Sequence, residues 1–101
     1  FQPHRYSRLK LLKKEFSLAF KAADLVVLCP VYSAGEKEKG NFSQDNFSNL
    51  IAKKSKIQVV NIKNQIDLKN FFRKNLLKDE MIICMGAGSI SNWIREIGEE
   101  I

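Results

Sequence analysis

Histidine and cysteine are scarce: the chain has one histidine and two cysteines among 101 residues. Ligating side chains this few, with none clustered at short spacing, argue against a zinc site, and a small secreted domain would carry more cysteines in a disulfide framework. Cys29 and Cys84 each lie inside an apolar run, which predicts two buried free thiols and a reducing, cytoplasmic setting. No apolar stretch approaches the roughly 18 residues of a membrane span, and nothing resembles a signal peptide, so no membrane partner is expected. There is no Gly-Lys-Ser or Gly-Lys-Thr loop to cradle ATP phosphates. Lys and Arg total 17 against 11 acidic residues, a net charge of +6, yet no basic run reaches five residues. The excess therefore reads as solvated helix faces, and no nucleic-acid partner is expected.

What is present is an alternation. Apolar residues recur at helical spacing from Ser7 to Ala22, with Ser7 a candidate cap, and Leu25 to Cys29 is a short apolar run stopped by Pro30. A loop over Val31 to Phe42, holding Gly35, Gly40 and Asn41, leads to a second helix over Ser43 to Lys54 and a second strand over Ile57 to Ile62. Asp67 is a candidate cap for a third helix carrying Leu68, Phe71, Phe72, Leu76 and Leu77. Met81 to Met85 reads as a third buried strand, and Ser89 or Ser91 as the cap of a last helix through Trp93, Ile94 and Ile97. This order predicts one α/β domain over residues 1–101: an open, mainly parallel sheet with helices on both faces. Three strands make a thin sheet, and the chain opens on Phe1 with no starter methionine, so a first strand and helix are expected upstream of it.

Ligands bind open parallel sheets beyond the carboxyl ends of the strands. Three segments are expected to meet there: His4-Arg5-Tyr6-Ser7-Arg8, Tyr32-Ser33-Ala34-Gly35-Glu36, and Gly86-Ala87-Gly88. Arg5 and Arg8 sit at a helix start, where positive charge opposes the dipole, and planar guanidiniums suit a carboxylate or phosphate. His4 has no partner pattern that would make it a general base, only a hydrogen-bonding role. Tyr32 and Glu36 gain interest from position rather than identity. The Gly86-Ala87-Gly88 turn departs from a dinucleotide fingerprint, whose third glycine would fall on Ser91, so it reads as a tight turn needing small residues. No catalytic residue and no metal ligand is assigned.

Taken together, Phe1 to Arg8, Ala23-Asp24, Val31 to Glu36 and Met85 to Ile90 resemble, in order and spacing, the C-terminal domain of the bacterial UDP-N-acetylmuramate:L-alanine ligases, of the Mur ligase family. The resemblance implies a Rossmann-like domain that closes over a site shared with central and N-terminal domains. It implies ATP and magnesium bound mainly outside this chain, an acyl phosphate formed on the muramate carboxylate, and attack by the amine of L-alanine. Carried over by position, His4, Arg5 and Arg8 would face the alanine carboxylate and phosphate region, and Tyr32, Ala34 and Gly35 would line the same cleft. One departure is Cys29-Pro30, where the family places an acidic residue just before the Val-Tyr pair. The chain by itself is expected to be inactive. The alternative is a small nucleotide- or anion-binding module without catalysis.

Overall fold

The computed structural model describes residues 1–37, 42–75, 79–86 and 88–100, residue 100 by its backbone alone. Gly40, Asn41, Leu76, Leu77 and Ala87 lie outside the described residues. The elements are α1 (Tyr6–Leu18), β1 (Leu25–Leu28), α2 (Gln44–Ser55), β2 (Gln58–Asn61), α3 (Gln65–Asn75) and α4 (Ile90–Glu100).

β1 and β2 pair in parallel, Val26 opposite Val59 and Leu28 opposite Asn61, and α2 carries the chain between them. Successive strand side chains point to opposite faces, so each strand feeds two cores. Val26 and Leu28 bury on one face with Leu9 of α1, Phe20, and Phe47 and Ile51 of α2. Cys29, with Val27 packed against the cluster, turns to the other face, where Ile62 meets Leu68 and Phe72 of α3 and Ile90 and Ile97 of α4. Helices therefore cover both faces of a parallel sheet, as the alternation predicts.

The opening residues extend the sheet beside β1. Phe1 nitrogen donates to Val27 O at 2.7 Å, Cys29 N–H to Phe1 O at 2.9 Å, and Tyr32 N–H to Pro3 O at 2.8 Å. On the far side of this segment Gln2 N–H reaches Met85 O at 3.0 Å. The layer order is thus β2, β1, residues 1–4 and then residue 85.

Local signals shift some boundaries. Ser43 caps α2, its Oγ accepting Asn46 N–H at 3.2 Å. For α3 the expected cap Asp67 lies inside the first turn instead. Asn64 Oδ1 accepts Asp67 N–H at 2.9 Å, while Asp67 Oδ2 accepts Lys63 N–H at 3.0 Å, so two donors at the helix start are satisfied by an exchanged pair. α1 is shorter than expected and begins one residue earlier, without a side-chain cap from Arg5; Ser7 lies within the helix and does not cap it. Neither Ser89 nor Ser91 caps the first amide of α4: Gln2 Oε1 accepts Ile90 N–H at 2.9 Å.

Two expectations are corrected outright. Residues 81–85 form no strand among the described residues, and Met81 and Ile83 are 85% and 71% exposed. A strand needs a neighbour along its length, and among the described residues the backbone bond made by this run is Met85 O accepting Gln2 N–H. Cys84 shares that exposure and is not a buried thiol, whereas Cys29 is buried and its thiol pKa is pushed up by burial.

Candidate functional site

At the carboxyl ends of the strands the three segments singled out in the sequence do come together. His4 pairs with Tyr32 across a parallel bridge, and their rings stack at 5.5 Å with a 17° interplanar angle. Arg5 N–H donates to Tyr32 O at 2.7 Å, which closes the seam between the opening residues and the loop after β1. Gly88 also lies against Tyr32: a Cβ there would fall 2.2 Å from Cγ of the ring. Gly88 is thus kept small by the Tyr32 side chain, and a Cβ at Gly86 would fall 2.8 Å from Ile90 Cγ2, in keeping with a tight turn that needs small residues.

Backbone strain gathers in the same place. Arg5 at φ 65°, Ala34 at φ 51° and Gly35 at φ 87° all have positive φ. For Arg5 and Ala34 that conformation costs about 1–2 kcal/mol each, sustained by the contacts around them. Ala34 and Gly35 form the tip of a turn closed by Glu36 N–H to Ser33 O at 3.0 Å. Glu36 then reaches α1, accepting Ser7 Oγ–H at 2.6 Å and Ser7 N–H at 3.2 Å. The Ser7 hydroxyl, then the Ser7 amide, with the Arg5 charge adding, hold the Glu36 carboxyl below its ordinary pKa of 4.5.

Arg5 and Arg8 are exposed at the start of α1, Arg5 bonded through its backbone to Tyr32 and Arg8 in the first turn of the helix. Two guanidiniums there offer planar, paired donors to an anion approaching the sheet ends. Among the described residues no group of three His, Cys, Asp or Glu side chains is placed to hold a metal ion.

Against known proteins, no family model matches the chain. The UDP-N-acetylmuramate–L-alanine ligase of Pelagibacter ubique is 50% identical over 101 residues, all of this chain and 22% of that protein. The ligase of the same name from Fusobacterium nucleatum is 42% identical over 101 residues, again all of this chain and 21% of the relative. Along its whole length the chain matches UDP-N-acetylmuramate–L-alanine ligases. A Prochlorococcus marinus ligase agrees at 37% over 102 residues, covering 22% of its own length. The likeness read from the motifs is borne out, and the relatives are, by name, ligases of UDP-N-acetylmuramate and L-alanine. The chain spans about a fifth of the length of these relatives, so what it matches is one part of such a ligase.

Gln2 is the residue that sequence reasoning passed over. It is 3% exposed and ties two segments of the site together, Nε2 donating to Ser89 Oγ at 2.9 Å and Oε1 accepting Ile90 N–H. The signal was a neutral amide between Phe1 and Pro3, in a stretch that sits inside the sheet. Glu36 was singled out by position alone, and its link to Ser7 spans 29 residues, beyond any local pattern.

Proposed function

We propose that this chain is the amino-acid-holding part of an ATP-dependent ligase that joins L-alanine to UDP-N-acetylmuramate, working in the cytoplasm in peptidoglycan synthesis. The observation that carries this reading is the convergence of His4, Arg5, Tyr32 and Gly88 at the strand ends, with Arg8 one turn further along α1. In this reading Arg5 and Arg8 take the carboxylate of the incoming amino acid through bidentate hydrogen bonds. Its amine is left unengaged and directed at the acyl phosphate, so the chain contributes orientation rather than a proton-transfer group. His4, stacked on Tyr32, stiffens the wall, and the Ala34-Gly35 tip brings backbone close to a small substrate.

ATP and magnesium belong to the other domains of the ligase in this proposal. The chain has neither a phosphate loop nor, among the described residues, a carboxylate cluster that fits the metal, and no step is routed through them. A nucleotide-binding module is the weaker reading for a structural reason. Ile90 N–H, the amide that would meet a phosphate at the start of α4, is already accepted by Gln2, and Tyr32 lies over Gly88.

The test is Arg8→Ala in the full-length ligase that carries this chain. KM for L-alanine is expected to rise by roughly one to two orders of magnitude, with KM for ATP much less affected. Equal losses for both substrates overturn the assignment. The 101-residue chain alone is expected to show no ligase turnover, and turnover by it would count against the same reading.

A further inference from the structure

Helix α1 starts under an electrostatic handicap. Arg5 caps it without a side-chain hydrogen bond, Arg8 follows within the first turn, and the first turn holds no acidic residue. Unpaired amides and the positive end of the helix dipole therefore face two like charges. The carboxylate that offsets them comes from the loop after β1. Glu36 places one oxygen on Ser7 N–H and the other on Ser7 Oγ, at 3.2 and 2.6 Å.

That contact pins the loop at its second end. The first end is held by backbone, through Tyr32 N–H to Pro3 O and Arg5 N–H to Tyr32 O. Between the two ends lie Ala34 and Gly35, both at positive φ. Without Glu36 the turn loses its hydrogen bonds to the start of α1, and Ser7 N–H loses its acceptor.

We propose that Glu36 is a positioning residue: by capping α1 across the loop it fixes the two arginines and the Ala34-Gly35 tip in a single arrangement that accepts an amino-acid carboxylate. The inference rests on the function proposed above. Both Glu36 oxygens are engaged by Ser7, so the carboxylate lowers the cost of placing Arg5 and Arg8 at a helix start while leaving guanidinium donors to the ligand.

The experiment is steady-state kinetics on the full-length ligase carrying Glu36→Ala, Glu36→Gln, Ser7→Ala, the Ser7→Ala/Glu36→Ala pair and, separately, Arg8→Ala. Glu36→Ala is expected to raise KM for L-alanine roughly tenfold while KM for ATP and UDP-N-acetylmuramate stays within about twofold. Glu36→Gln, which keeps an acceptor oxygen, recovers part of that loss. The double variant is no worse than Glu36→Ala, because both changes remove one shared contact. Should Glu36→Ala fail to fold, Glu36→Gln and Ser7→Ala carry the same comparison. If Arg8→Ala raises KM for L-alanine and the Glu36 variants do not, or raise KM for all three substrates alike, the inference falls while the function stands. If Arg8→Ala itself leaves KM for L-alanine unchanged, the underlying reading falls and takes the inference with it.

Discussion

Tyr32 shows how one residue gathers constraints from distant parts of the chain. Its backbone bonds residues 3 and 5, its ring stacks on His4, and its side chain admits only hydrogen at Gly88. Gly88→Ala is therefore expected to push the ring out of place rather than be absorbed, since the clash is with Cβ and Cγ and not with a flexible tip. The cost should be about 1–3 kcal/mol, checked by thermal or chemical melts, with changed chemical shifts of the His4 and Tyr32 rings marking the displacement. Glu36 carries a pH signature of its own. Its pKa is depressed on folding, so its contribution is present above the unfolded value of 4.5 and is lost as pH falls through the lower folded value. Glu36→Gln should flatten that acid limb in melts recorded between neutral and strongly acidic pH. Arginines and glycines announced this site in the sequence. Gln2 and the role of Glu36 did not, because neutral amides and single carboxylates acquire meaning only from what they touch.

Among the elements, α2 is the one whose local signals all agree. Ser43 caps it, Asp45 stands in its first turn, Lys53 and Lys54 in its last, and Lys56 closes it in the left-handed region at φ 54°, ψ 51°. Lysine is a poor choice at that last position. Lys56→Gly should stabilise the protein by about 0.5 kcal/mol, the relief of the left-handed cost less the extra freedom of an unfolded glycine, read as a rise in melting temperature. Ser43→Ala should lower stability by about 1 kcal/mol. α1 is the opposite case: its sequence lacks an acidic first turn and its helical angles break at Leu12, at φ −108° and ψ 17°. The apolar period was legible in both helices; the start of α1 was not, because its capping acceptor lies on another segment.

For the whole molecule the deciding feature is the sheet. Residues 81–85 have the composition of a buried strand yet lie exposed, and a groove of about 160 Å³ runs beside them, lined among others by Phe1, Val27, Phe72, Ile82 and Ile94.

Sequence alone determined the alternation of helix and strand, the parallel sheet with helices on both faces, and the kinship with a ligase, because periodicity and motif spacing are local properties that survive without coordinates. Tertiary structure decided which candidate side chains come together, why Gly88 must be small, and that residues 81–84 stay outside the sheet. Each of these depends on contacts between segments far apart in the chain, as Tyr32 against Gly88 shows, and pairing between distant segments leaves no mark in the local pattern.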